Sequence, residues 1–321
     1  MSNFPNWLEA DYQNLAKQYA HSTLPHGLMM VGRIGNGSRE ASLRLIAALM
    51  CIAPINGDAC STCKSCQLLA SGSHPDYLKV EPEGKSQTIK VDAIRQLTHL
   101  VSETAQQSGN KVVFIQNAEK MNLNAANALL KVLEEPTQNT FLLMEVEELS
   151  RILPTVRSRS RIVRLNGPQP QESLDWMALQ GVTKEDASRK LAMCFGLPFS
   201  ALTLSNEAEA AWLERETTFL RPSSFTTLGK FINSQSLPEL LEQVLYWVDE
   251  SLRQRQTPKS DNTGVSESML QELNKVPSIL LFKFRDYIVG MLTSVKNQAN
   301  LNTQLMSEQI AARWLKMRGL I

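Results

Sequence analysis

Four of the chain's five cysteines fall within sixteen positions, as Cys51, Cys60, Cys63 and Cys66, in the spacing C-x8-C-x2-C-x2-C. Four thiolates brought together make a closed tetrahedral set with no open position, the donor set of a structural Zn²⁺. An iron–sulfur cluster shares the C-x2-C-x2-C run, but the Cys-Pro that usually ends it is missing. Unliganded buried thiols are the plainer alternative. Asn56-Gly57-Asp58 supplies a turn that returns the chain to the first cysteine. His74-Pro75-Asp76 reads as a turn into a strand rather than a fifth ligand, and Cys194 as core.

A second set of residues lies upstream. An apolar segment, Gly27–Val31, runs into Gly32-Arg33-Ile34-Gly35-Asn36-Gly37-Ser38-Arg39, and a helical pattern follows. Strand, glycine turn, helix is the setting in which backbone N–H groups cradle a phosphate. Gly32 and Gly37 stand where G-x-x-x-x-G-K-[ST] requires glycine, but Ser38 replaces the lysine and Arg39 the metal-binding hydroxyl. Without the lysine the β- and γ-phosphates go unneutralised, and without the hydroxyl Mg²⁺ loses a ligand. Arg39, about 100° further round the helix, is expected to point away from the phosphates. The segment reads as a degenerate phosphate loop, set against a plain strand–helix turn and a working nucleotide site. The apolar strand Lys111–Ile115 then ends in Gln116-Asn117, where a Walker B strand would end in carboxylates. Amides neither hold Mg²⁺ through charge nor act as a base. Both departures together predict an NTPase-like fold that does not hydrolyse ATP and does not bind it productively.

Third comes a run of arginines. Arg151, Arg157, Arg159, Arg161 and Arg164 lie in a stretch without Asp or Glu. They form either a solvated face or a surface for an anion, a nucleotide phosphate on another subunit or a nucleic-acid backbone.

These residues need a scaffold. Apolar, β-branched runs predict strands at Gly27–Val31, Asp76–Val80, Lys111–Ile115, Thr140–Val146 and Ile162–Leu165. Helical periodicity predicts helices over Ser38–Ile52, around Val91–Val101, and over Leu123–Leu133, the last closed by Pro136. Alternation of this kind is an α/β domain with a parallel sheet. After Gly167-Pro168-Gln169-Pro170 the strand signals cease, and helices are expected at Gln171–Leu179, Lys184–Phe195, Glu207–Phe219, Pro238–Arg253 and Ser278–Val295. Arg253–Ser268 is polar and reads as a solvated loop. The expected division is an α/β domain over residues 1–166 with the cysteine module (51–66) inserted, a small helical domain over 167–205, and an all-α domain over 206–321.

Bulk properties set limits. The 321 residues carry 33 Lys+Arg and 32 Asp+Glu, a net charge of +1, which excludes a polycation that coats nucleic acid. With 43% hydrophobic and 20% charged residues the composition is that of a globular chain. The start, Met1-Ser2-Asn3-Phe4-Pro5, has no basic-then-apolar signal pattern, and the longest apolar run, Leu45–Ala53, is about half of what a membrane span needs. A cytoplasmic protein is the expectation, and in a reducing compartment clustered cysteines favour metal over disulfides.

Taken together, His26-Gly27-Leu28 into the glycine turn, the cysteine spacing, Cys66-Gln67-Leu68 through Gly72-Ser73-His74-Pro75-Asp76, Val91-Asp92-Ala93-Ile94-Arg95, Asn127 to Pro136 and Arg157-Ser158-Arg159-Ser160-Arg161 resemble the delta-prime family of bacterial DNA polymerase III clamp-loader subunits. The resemblance covers Leu24 to Leu165, about the first half. It implies an AAA+ fold with a helical lid and a C-terminal helical collar that forms a five-subunit ring. It further implies a non-hydrolysing stator beside the delta and gamma/tau subunits. The assembly would open the beta sliding clamp and place it on primer–template DNA with the other polymerase III holoenzyme subunits. The location implied is the bacterial cytoplasm, at the nucleoid through the replisome. A nucleotidyltransferase class would then belong to the chain by association only. In active siblings a Ser-Arg-Cys motif presents an arginine to the ATP of the neighbouring subunit. Here Ser158, Arg159 and Ser160 match it, with Ser160 in place of Cys, so Arg159 is the implied trans finger. Leu143-Met144-Glu145 departs from the polar sensor segment of those siblings. The competing readings are an active ATPase with an unorthodox loop, a zinc-dependent nucleic-acid module acting alone, and a scaffold unrelated to replication.

Overall fold

A computed structural model describes residues 4–84, 87–107, 109–256, 265–296 and 302–321. The chain divides into two compact units, one of Met1–Leu179 with Leu197–Phe199, the other of Gln180–Gly196 with Ser200–Ile321.

The first unit is built on five parallel strands: β1 (Gly27–Val31), β2 (Tyr77–Val80), β3 (Lys111–Ile115), β4 (Thr140–Val146) and β5 (Arg161–Arg164). Their order is β2-β3-β4-β1-β5. The helices are α1 (Glu9–Ala20), α2 (Ser38–Met50), α3 (Lys64–Ala70), α4 (Val91–Ser102), α5 (Leu123–Glu134), α6 (Pro154–Ser158) and α7 (Pro170–Leu179). Alternate strand residues face opposite layers. Leu28, Met30, Val112, Phe114 and Leu143 join Leu8, Tyr12, Leu45 and Leu49 from the α1–α2 side. Met29, Val113, Ile115, Leu142 and Met144 join Ile94, Leu97, Leu129 and Leu133 from the α4–α5 side. Because β3 is buried along its whole length, its first residue, Lys111, is buried as well. Its ammonium donates to the carbonyls of Val101 and Glu103 and to Thr137 Oγ1, closing the end of α4. Burial pushes the Lys111 pKa down.

The five predicted strands stand with shifts of a residue at the ends. Asp76 precedes β2 and caps the chain by accepting from the amides of Gln106 and Gln107. The helix predicted to run to Ile52 stops at Met50, because Cys51 is extended (ψ 132°). Helices α1 and α3 are not among the helices expected from the sequence; α3, with seven residues, is too short to show a helical period.

The second unit is helical. Its helices include α8 (Lys184–Met193), α10 (Asn206–Leu220), α11 (Phe225–Ser234), α12 (Leu237–Gln256), α13 (Glu267–Asn274), α14 (Ser278–Lys296) and α15 (Thr303–Met317), the five-residue α9 (Pro198–Leu202) lying across the division. The core centres on Phe219, Trp247 and Trp314, each 0% exposed, with Phe219 edge-on to both indoles at 5.5 and 5.3 Å. Trp314 Nε1 donates to Phe219 O at 2.9 Å, and so does Arg318 Nη1 at 2.8 Å. The expected loop over Arg253–Ser268 is corrected at both ends. Arg253–Gln256 are the last turn of α12, where Arg255 donates to the carbonyls of Leu273 and Val276, and Glu267 opens α13 behind the Ser266 cap. Polar residues suit a helix end, where cations meet the negative pole of the dipole. Residues 257–264 of that stretch lie outside the described residues. Cys194 closes α8 and is buried, which pushes its thiol up to about 11.

Candidate functional site

The glycine turn joins β1 to α2 as expected. Gly35 and Gly37 have φ of 91° and 99°, the left-handed region open to glycine. A Cβ on Gly37 would come within 2.9 Å of both Leu8 and Phe199. The amides of Ile34, Asn36 and Ser38 are engaged from within the chain. Asn36, 2% exposed, turns its Oδ1 back to accept from Ser38 N–H at 2.9 Å. Ile34 N–H donates to Glu147 Oε1 at 3.3 Å, and Asn36 N–H to Arg33 O at 3.1 Å. Trp7 Nε1 donates to Asn36 O at 2.9 Å, and Phe199 N–H to Gly35 O at 3.0 Å.

Arg39, although its side chain is 39% exposed, is held from within the chain. Its Nε and Nη2 meet the two carboxylate oxygens of Glu145 at 3.1 and 3.0 Å. Strand alternation explains the meeting: Glu145 follows Leu143 on the α2 face of β4 and is 2% exposed. The first turn of α2 is thus tied to β4 through this ion pair. Ser38, in the lysine position, is 1% exposed and carries no charge.

At the end of β3, Gln116 is 8% exposed and Asn117 adopts φ 48° with its Oδ1 buried and unpartnered among the described residues. Carboxylates do line this edge of the sheet, but not at the Walker B positions. Glu145 is neutralised by Arg39, Glu147 takes the Ile34 amide, and burial pushes the Glu119 carboxyl up. The sequence reading assigned no role to Asn36, Glu147 or Glu119, and treated Glu145 only as a departure from a sensor pattern. The strand parity that aims Glu145 at α2 was available from the alternation in Thr140–Val146.

The four cysteines converge. Their sulfur atoms all lie within 4.8 Å of one another. Zn–S bonds of about 2.3 Å in a tetrahedron place sulfurs about 3.8 Å apart; Cys51 Sγ and Cys63 Sγ are 4.0 Å apart. The amides of Cys60, Cys63 and Cys66 point at the sulfurs of Cys51, Cys60 and Cys63 at 3.3, 3.4 and 3.5 Å. Amides aimed at sulfur favour the thiolate. Such bonds, from Thr62 first, hold the Cys60 thiol down at about 6, whereas burial pushes Cys66 up to about 12. The donor set fits a metal ion in a closed four-sulfur site. His74 takes no part in it: its Nε2 lies 2.7 Å from Ser65 Oγ, and its Nδ1 accepts from Asp76 N–H.

The arginine run is split by the fold. Arg151 pairs with Glu148 at 3.3 Å and Arg159 with Glu134 at 2.7 Å, both acids lying outside the run. Arg157, Arg161 and Arg164 are exposed, the last two on the edge strand β5. Ser158 Oγ donates to Thr155 O, and Ser160 Oγ to Val156 O at 3.0 Å, so serine fills the last motif position as a helix-end cap.

A parallel five-stranded sheet between helical layers, a glycine turn from β1 into α2 and a helical C-terminal portion define a P-loop NTPase-like protein of the AAA+ kind. The family described as "DNA polymerase III, delta subunit" matches residues 7–169. The chain is 34% identical to the DNA polymerase III subunit delta′ of Pseudomonas aeruginosa over 99% of both chains. It is 35% identical to that of Escherichia coli K12 over 66% of this chain and 63% of the relative. A gamma subunit-related protein of Thermotoga maritima aligns with a TM-score of 0.49 at 20% identity, over 98% of this chain and 100% of that one. The chain belongs to the DNA polymerase III subunit delta′ family. No helix among the described residues is long and apolar enough to cross a membrane.

Proposed function

We propose that the chain is a non-hydrolysing, stator-like subunit of a bacterial clamp loader. In this role it sits beside delta and gamma/tau subunits in a cytoplasmic assembly that loads the beta sliding clamp onto primed DNA. The observation that carries the first half of this reading is the phosphate loop closed by its own residues: Asn36 takes the Ser38 amide and Arg39 is bound by Glu145. A nucleotide would have to displace a buried carboxamide from the Ser38 amide, with no lysine and no metal-binding hydroxyl to offset the loss. Any DNA-polymerase classification then attaches to the assembly rather than to chemistry in this chain.

The second half is a trans role for Arg159. Its guanidinium is always charged and suited to forking onto phosphate oxygens, and its side chain is 38% exposed. The metal in the four-sulfur site is Zn²⁺, with a structural role, held by Cys51, Cys60, Cys63 and Cys66. The division into an α/β domain (1–166), a helical lid (167–205) and a collar (206–321) belongs to the same reading.

The test is reconstitution with delta, gamma/tau and the clamp. The isolated chain should show no Mg-ATP turnover, the complex lacking it should load clamps poorly, and Arg159→Ala should assemble normally but lower the ATPase of the complex. Robust turnover by the isolated chain, or full activity of the Arg159→Ala complex, would overturn the corresponding half.

A further inference from the structure

The arginine offered in trans is held by a second residue, and nothing in the family pattern used above assigns that residue a role. Glu134 is the last residue of α5. A carboxylate there opposes the helix dipole, whose C-terminal end is negative. It is nevertheless brought to 2.7 Å from Arg159 Nε. On the other edge of the guanidinium, Nη1 donates to Thr155 O at 3.1 Å and lies 3.4 Å from Ser158 Oγ. Two edges of the planar fork are thus fixed from two different helices, and Nη2 has no hydrogen bond among the described residues.

The backbone beneath is fixed too. His26 Nε2 lies 3.0 Å from Leu133 O, the carbonyl just before Glu134. A Cβ on Gly27 would stand 3.0 Å from Leu133 Cδ2, 3.6 Å from Arg159 O and 3.7 Å from Ser160 Oγ. The absence of a side chain at Gly27 lets the end of α5 and the Arg159–Ser160 segment close on the start of β1. Both side chains are partly exposed, at 38% and 48%, but the backbone under each is held in place, unlike the usual exposed ion pair.

We infer that Glu134 is a positioning residue for Arg159, holding its Nε edge so that the Nη2 corner projects toward an anionic phosphate on a neighbouring subunit. The inference rests on the trans-finger reading of Arg159. An arginine so held reaches the phosphate without first losing its rotamer freedom, and a displacement of about 1 Å in such a group is enough to slow chemistry about 100-fold.

The experiment uses the reconstituted clamp-loader complex with four forms of this chain: unaltered, Glu134→Ala, Arg159→Ala and the double variant. The readouts are kcat and KM for ATP and assembly by size-exclusion chromatography. Glu134→Ala should lower kcat about 10-fold, with KM and assembly within about twofold of the unaltered complex. In the Arg159→Ala background the same change should have no further effect, since the group it positions is gone. A full additional loss in the double variant, an unchanged or raised kcat in Glu134→Ala, or a loss confined to KM or assembly would overturn the positioning role while leaving the finger intact. An unaffected Arg159→Ala complex would instead remove the finger reading and this inference with it.

Discussion

Arg44 grips Asp58 through two contacts, Nε to Oδ1 at 2.7 Å and Nη2 to Oδ2 at 2.8 Å, and so ties the loop between Cys51 and Cys60 to α2. The same guanidinium reaches Glu9 at 2.6 Å and lies over the rings of Tyr12 and Phe4 at 3.8 and 4.3 Å. Tyr12 OH lies 2.7 Å from both Gly57 O and Asp58 Oδ1, its single proton serving one of them at a time. The turn that brings the chain back to the first cysteine is therefore anchored to α1 and α2 by groups that are not metal ligands.

This anchor has a pH signature. Arg44 holds the Glu9 and Asp58 carboxyls below their ordinary values of 4.5 and 3.8. A carboxyl depressed in the folded state contributes stability above its unfolded pKa and loses it as pH falls through the folded one. Arg44→Met should lower stability by about 1 kcal/mol at pH 7, given the solvent access of both acids. The difference should vanish toward pH 2, as read from urea unfolding over a pH series.

The four-sulfur site predicts metal-linked stability. Cys63→Ser should lower bound zinc, measured by atomic absorption, and the melting temperature together, and a strong chelator should lower the melting temperature of the unaltered chain. Ligand thiols must lose protons to bind. Acid, by protonating those thiols, should therefore release the metal, read as zinc lost from the chain over a falling pH series.

Rebuilding the phosphate loop alone should fail. The pair S38K and R39T restores the lysine and the hydroxyl, but Gln116 and Asn117 still lack Walker B charge. The variant should show no ATP turnover. It should also be less stable by about 2 kcal/mol, because Glu145 is left as a buried carboxylate without its partner. Adding E145T should recover most of that loss in thermal unfolding.

In the helical unit, Trp314→Ala should cost about 3–5 kcal/mol, as expected for truncating a fully buried aromatic. Trp314→Phe should cost far less than a stranded carbonyl would imply, because Arg318 still donates to Phe219 O. Urea unfolding of the two variants separates volume from hydrogen bonding.

What the sequence made legible was what local pattern encodes. The runs Gly27–Val31 and Lys111–Ile115 became strands because continuous apolar residues suit a sheet covered on both faces. Cys51, Cys60, Cys63 and Cys66 announced their site because spacing and residue type together restrict the chemistry. What stayed hidden were long-range pairs. Arg39 meets Glu145 across 106 positions, and Arg159 meets Glu134 across a helix, a strand and a turn. No local rule links such positions. Helices α11 and α13 are strongly amphipathic, so the sequence carried a signal for them that the reading above left out, whereas α15 has a weaker pattern.

The Arg39–Glu145 pair bears on how such a loop could change over generations. Altering Arg39 alone strands the buried Glu145 carboxylate, whereas altering Glu145 alone leaves Arg39 with access to solvent. A change at position 39 therefore costs least in a lineage that has first lost Glu145. For the non-hydrolysing role proposed above, the pair acts as a ratchet, since the order in which the two residues change decides the cost.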